Sequence, residues 1–110
     1  VGDQVLVRFA EQVKRELREI DLFGRLGGEE FCVLLQHTNA EQAAIVAERI
    51  RKRIAQLRFF DDDGANFSVT VSIGISANQA EDRQLERLME RADRALYLAK
   101  HEGRDQTRSA

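Results

Sequence analysis

The run Gly27-Gly28-Glu29-Glu30-Phe31 constrains this chain more than any other stretch. Apolar segments flank it, Leu22-Phe23-Gly24-Arg25-Leu26 before and Phe31-Cys32-Val33-Leu34-Leu35 after. An apolar run, a glycine turn and a second apolar run predict a β-hairpin. A hairpin turn has no need of two acids directly behind its glycines. Glycine lets a backbone approach a ligand closely, because no Cβ intervenes. Adjacent carboxylates can hold a hard cation such as Mg2+, which in turn holds phosphates. Two readings stand at this point: a nucleotide-triphosphate site, and a surface turn with two solvated glutamates.

The rest of the composition narrows the class. A chain of 110 residues is long enough for one domain with a modest core, and the whole of it, 1–110, is read as a single domain. A net charge of -2 argues against broad electrostatic attraction to nucleic acid. No apolar run reaches membrane-spanning length, and no signal-peptide pattern opens the chain. The single cysteine, Cys32, excludes an internal disulfide; its apolar setting reads as a buried, inert thiol. His37 and His101 lack metal-ligand spacing and receive no role.

Periodicity supplies the elements. Val5, Phe9, Val13 and Leu17, with Leu6 and Ile20 alongside, predict a first helix, with Asp3 as its N-cap or first-turn acid. After the hairpin, Thr38-Asn39-Ala40-Glu41 reads as a capping box. It opens a second helix that carries Ala43, Ala47, Ile50, Ile54 and Leu57 on one face. The acidic run Asp61-Asp62-Asp63-Gly64 lacks the ligand spacing of a calcium loop and reads as a solvated turn. Val69, Val71, Ile73 and Ile75 alternate with polar residues or glycine as a strand with one apolar face. Leu85, Leu88, Met89, Ala92, Leu96 and Ala99 mark a third helix that ends near Gly103, with Lys100 and His101 in its last turn. The order helix, strand, strand, helix, strand, helix is an α+β layer.

These residues resemble the GGDEF domain, the diguanylate cyclase module, in its GGEEF form. The likeness is carried by Gly27-Gly28-Glu29-Glu30-Phe31 together with Gly2-Asp3-x-Val5-Leu6, Arg25-Leu26, Ala47-Glu48-Arg49-Ile50-Arg51 and Val69-Thr70-Val71-Ser72-Ile73-Gly74. The last block is Ala92-Asp93-x-Ala95-Leu96-Tyr97-x-Ala99-Lys100-x-x-Gly103-Arg104. The blocks follow family order and spacing almost from end to end. The resemblance implies a ferredoxin-like, nucleotide-cyclase-like antiparallel sheet with helices, related to the polymerase palm. It implies condensation of two GTP to cyclic di-GMP and two pyrophosphates, each domain of a facing pair (a homodimer) holding one GTP. By the same resemblance, Glu29 and Glu30 are the catalytic and metal-binding acids for Mg2+ or Mn2+, and Gly27 and Gly28 let the hairpin pack on the triphosphate. Lys100 and Arg104, four apart and on one face if the helix continues, would meet phosphate oxygens; without the family they read as helix-end cations. Asp3 corresponds to the guanine-reading aspartate, and otherwise reads as a helix cap. Arg18-Glu19-Ile20-Asp21 fits the RxxD product-inhibition motif, with Arg49 as the secondary arginine of that site; taken alone, Arg18 and Asp21 are a solvated helix-end pair.

The sequence departs from the family at the start. The family's first strand, with its metal-binding aspartate, and its first helix are absent ahead of Val1, so the expectation is an incomplete sheet in a C-terminal portion of the domain, inactive alone. Its removal would leave the edges of the hairpin and the late strand unpaired. Asp105 stands where the family usually has asparagine. An upstream sensory domain is expected as a partner, and a cytoplasmic location, with tethering to the inner membrane through upstream regions left open. The competing readings are a non-catalytic cyclic di-GMP-binding module using Arg18, Asp21 and Arg49, and a generic α+β regulatory or dimerisation domain.

Overall fold

The computed structural model describes residues 2–27, 30–76 and 85–109. Helix α1 spans Gly2–Arg15, with Asp3 in its first turn and Lys14 and Arg15 in its last, both favourable to the helix dipole. The apolar period predicted helix to Ile20, but the chain leaves it after Arg15. Asp21 is the reason: its carboxylate accepts from the Arg18 backbone N–H at 2.8 Å while its own N–H donates to the Arg18 carbonyl at 3.0 Å. This local turn competes with further helix. Leu17 still packs on the core, whereas Ile20 is 46% exposed.

Strands β1 (Leu22–Gly27) and β2 (Glu30–Leu34) form the predicted hairpin. They are antiparallel, with Leu22 opposite Leu34, Gly24 opposite Cys32 and Gly27 opposite Glu30, and the register shifts between Arg25 and Gly27. Gly27 has φ +151, a conformation that L side chains rarely adopt, which is why glycine ends this strand. Gly28 and Glu29, which join Gly27 to Glu30 in sequence, lie outside the described residues.

Helix α2 (Ala40–Gln56) is capped one residue later than expected. Asn39, not Thr38, is the N-cap: its Oδ1 accepts from the Gln42 N–H at 2.8 Å, and the Gln42 side chain accepts from the Asn39 N–H at 3.1 Å. Thr38 is engaged elsewhere, donating its hydroxyl to the Gln36 carbonyl at 2.8 Å. Two short strands missed by the sequence reading, β3 (Phe59–Phe60) and β4 (Asn66–Phe67), pair across the acidic run. Within it Asp61 Oδ1 accepts from the N–H groups of Asp63 and Ala65 at 2.9 and 3.0 Å, so this acid closes a turn.

The late strand is shorter than the alternation suggested: β5 covers only Ile73–Ile75. Its partner is β6 (Thr107–Ser109), a parallel neighbour the sequence reading did not anticipate, with Ile73 opposite Thr107. Residues 69–72 have no ladder among the described residues. Helix α3 (Leu85–His101) lies directly on β5. A Cβ on Gly74 would collide with the Ala92 carbonyl and the Leu96 backbone, so glycine there is what lets helix and strand approach. The side chains of Leu85 and Leu88 lie outside the described residues.

The core joins α1 and α2 through Val13, Ile50 and Ile54, the last 0% exposed, with Phe9, Phe23, Val33, Val69 and Ile73 packed around them. Among the described residues the strands make three two-stranded sheets, β1-β2, β3-β4 and β5-β6. β2 and β5 are not paired with each other, and an open cleft runs between them.

Candidate functional site

The cleft has a volume of about 1490 Å³ and is lined by both strands and all three helices. Its lining includes the apolar Phe31, Val33, Val71 and Ile73 and the charged Arg25, Glu30, Asp93, Lys100 and Arg104. The hairpin wall is fixed by Phe31. This ring lies 4.9 Å from Phe9 on α1 and 5.5 Å from Phe23 on β1, centroid to centroid. An aromatic residue directly after Glu30 therefore anchors the head of β2 on α1, while Glu30 itself is exposed on the cleft lining. The Arg25 guanidinium sits over the outer part of Phe31, 5.9 Å from its centroid, and also lines the cleft.

Lys100 and Arg104 line the same cleft from the end of α3. They do not share a helix face as the spacing suggested, because α3 stops at His101. Gly103 at φ +120 turns the chain, the Arg104 N–H donates back to the Ala99 carbonyl at 2.9 Å, and Arg104 itself has φ +58. Lys100 is half-buried and Arg104 exposed. A carboxylate on the hairpin wall and two cations from the α3 end thus line one cleft. Asp3 is exposed in the first turn of α1 and lies outside the lining, although Val5 and Leu6 on the following turn are part of it. Gly27 is also outside it. Asp93 and Arg25 are lining residues to which the sequence reading gave no role; their only signal was membership of the motif blocks. Cys32 is half-buried in the wall, and burial pushes its thiol up from the ordinary value, away from reactive thiolate. Among the described residues no group of three His, Cys, Asp or Glu side chains is placed to hold a metal ion.

The RxxD residues form a second cluster. Arg18 grips Asp21 through two side-chain hydrogen bonds, Nε to Oδ2 at 3.1 Å and Nη2 to Oδ1 at 2.9 Å. Nη2 also donates to the Gln36 carbonyl at 2.7 Å and to Thr38 Oγ1 at 3.0 Å, tying the turn after α1 to the segment before α2. The Asp21 side chain is 2% exposed and that of Arg18 is 51% exposed. The hydrogen bonds from Arg18, more than its charge, hold the Asp21 carboxyl below its usual value against the opposing effect of burial. Arg49 joins the neighbourhood through Glu16, pairing with Oε2 at 2.7 Å and with the Glu16 carbonyl at 3.1 Å. These three residues line no part of the cleft.

A third network closes the C-terminal end. Arg51 on α2 donates from Nε and Nη2 to the two carboxylate oxygens of Glu48 at 2.8 and 2.9 Å. Its Nη1 reaches Asp105, at 2.8 Å to Oδ1 and 3.2 Å to the carbonyl. Glu48 also accepts from the Thr107 hydroxyl at 3.1 Å, and these bonds hold its carboxyl down to about 2.

The chain is similar to several known proteins. The diguanylate cyclase A of Treponema denticola is 42% identical over 104 residues, covering 94% of this chain and 28% of that relative. The chain thus spans under a third of the length of that curated relative. Diguanylate cyclase SiaD of Pseudomonas aeruginosa, solved with its activator SiaC, superposes with a TM-score of 0.91 at 40% identity, over 99% of this chain and 41% of that one. The GGDEF domain of DgcB from Caulobacter crescentus, solved with c-di-GMP, gives a TM-score of 0.91 at 29% identity, over 98% of this chain and 64% of that one. The family described as "Diguanylate cyclase, GGDEF domain" matches residues 1–106, and with that match over nearly its full length the chain belongs to the GGDEF domain family of diguanylate cyclases.

Proposed function

We propose that this chain is the catalytic GGDEF domain of a diguanylate cyclase, a nucleotidyltransferase that joins two GTP into cyclic di-GMP and releases two pyrophosphates. The observation that carries the reading is that Glu30 on the hairpin wall and Lys100 and Arg104 at the end of α3 line the same cleft. The names of the relatives support it.

In this reading Lys100 and Arg104 bind phosphate oxygens and orient the triphosphate. Gly27 and Gly28 leave room for the hairpin backbone beside it. Asp3 accepts hydrogen bonds from guanine N1 and N2. Each 3′-hydroxyl attacks the α-phosphate of the nucleotide on the facing domain; a P–O bond forms there, the α–β bridge breaks and pyrophosphate leaves. Two such steps close the ring, so two domains are required.

The residues present fit a divalent ion of the Mg2+ or Mn2+ type. Mg2+ is commonly held by one or two carboxylates together with substrate phosphates and water; Glu29 and Glu30 are adjacent acids in the sequence, and Glu30 lines the same cleft as Lys100 and Arg104. When bound, such an ion neutralises phosphate charge and acidifies a coordinated oxygen.

The finer parts belong to the same proposal. Residues 1–110 act as one domain. Arg18, Asp21 and Arg49 form a product-inhibition site, supported by the half-exposed Arg18 guanidinium, which Asp21 holds at the surface. The chain alone is expected to be inactive, since the edges of β2 and β5 face an open cleft and turnover takes two domains. Control by an upstream sensory domain and a cytoplasmic site of action, where GTP is available, complete the reading. The test is GTP turnover by the protein that carries this chain. Cyclic di-GMP production that is lost in Glu30→Ala supports the assignment, and production unaffected by it removes Glu30 from the site.

A further inference from the structure

Three successive residues after α3, Gly103, Arg104 and Asp105, have φ of +120, +58 and +43. Glycine adopts such a backbone freely. For arginine and aspartate it is strained and persists where surrounding contacts over-determine it. The two ends of the turn are accounted for. On the α3 side the Arg104 N–H donates to the Ala99 carbonyl at 2.9 Å, and on the β6 side the Ile73 N–H donates to the Gln106 carbonyl at 2.9 Å. Between them Asp105 is held from outside, by Arg51 of α2. The Arg51 Nη1 donates both to Asp105 Oδ1 and to its carbonyl oxygen, so it fixes the main chain as well as the side chain.

Arg51 is in turn immobilised. Its side chain is only 18% exposed, and its other two donors form the bidentate pair with Glu48. Arginine suits this task because its planar fork can serve a carboxylate on one edge and a carbonyl on the other. The Thr107 hydroxyl, two residues past Asp105, donates to the same Glu48. The Glu48–Arg51 pair thus grips the chain on the far side of Arg104. Arg104 lines the cleft, whereas Arg51 does not.

We infer that Arg51 is a positioning residue for substrate binding: by holding Asp105 it fixes the left-handed turn that aims Arg104 at the phosphates of the nucleotide. The inference rests on the reading of the cleft as a triphosphate site, and it assigns a role in affinity to a residue outside the cleft lining. It also explains why aspartate can stand at position 105, since an oxygen acceptor is what Arg51 requires there.

The experiment is steady-state kinetics on the complete protein with GTP as the varied substrate, for Arg51→Met, Arg104→Ala and the double variant. Arg104→Ala and Arg51→Met should each raise KM by about tenfold with kcat changed less than about threefold, the pattern of lost uniform binding. The double variant should be no worse than Arg104→Ala alone, because both act through one group. Wild-type KM in Arg51→Met beside a raised KM in Arg104→Ala would overturn the positioning role and leave the cleft reading intact. Wild-type KM in Arg104→Ala would remove the phosphate role itself, and the inference with it. A double variant whose effects multiply would also overturn it. Should Arg51→Met not fold, position 105 carries the test. Asp105→Asn, which keeps an oxygen acceptor and tolerates the backbone, should retain wild-type KM, and Asp105→Ala should raise it; equal KM values in the two would contradict the inference.

Discussion

The rings of Phe23 and Phe31 stack with centroids 5.5 Å apart and planes 9° from parallel, a diagonal pair across the hairpin. Phe31 closes the glycine–glutamate motif, so the last residue of the signature is a structural anchor for the acid before it. Phe31→Ala should therefore act twice. Losing a half-buried ring and its two aromatic partners should destabilise the chain by about 2 kcal/mol. Activity should fall further than the folded fraction does, because Glu30 loses its seat. Denaturant unfolding beside kinetics corrected for folded protein separates the two effects.

Acid sensitivity follows from Glu48. Its folded value of about 2 lies below its ordinary 4.5, chiefly through the Arg51 hydrogen bonds. A depressed carboxylate contributes stability that is fully present above its unfolded value and is lost as pH falls through the folded one. Stability should thus decline between about 4.5 and about 2, and Asp21, also depressed, adds a loss of the same sign. Thermal melts of Glu48→Gln against pH should show lower stability at neutral pH and a flatter acid limb. An acid limb as steep as that of the unaltered chain would assign the loss to other groups.

For the inhibitory site, Arg18→Ala is a cleaner probe than Asp21→Ala. The Asp21 carboxylate also accepts from a backbone N–H and ends the turn after α1, so its removal disturbs the fold. In the complete protein, Arg18→Ala should weaken cyclic di-GMP binding in calorimetric titration by about tenfold or more while the initial rate on GTP is retained. Unchanged binding would return Arg18 to a purely structural tie between the turn and Gln36.

Much of this was legible in the chain. Local patterns gave the hairpin and all three helices, because amphipathic period and glycine turns act within a few residues. The errors have two physical origins, competition between local options and pairing between distant segments. Thr38 and Asn39 are both competent caps, and the choice of Asn39 follows from Arg18 and Gln36 engaging Thr38. Val69 to Ile75 alternates like a strand throughout, yet ladder exists only where β6 supplies a partner, and that pairing joins residues far apart in sequence. At the site, Glu30, Lys100 and Arg104 were named from the motif blocks. The role of Arg51 was not readable, since nothing in Ala47-Glu48-Arg49-Ile50-Arg51 shows that Asp105 folds back against it.

In the proposed reading the hairpin acids and the α3 cations form one nucleotidyl-transfer site. The most direct measurement is formation of cyclic di-GMP from GTP, with Mg2+ or Mn2+, by the complete protein and by its Glu29→Ala and Glu30→Ala variants at matched folded concentration. Loss of a group that organises charge at the reacting phosphate should lower turnover by about a hundredfold or more in each variant. Turnover close to that of the unaltered protein in both would contradict the account.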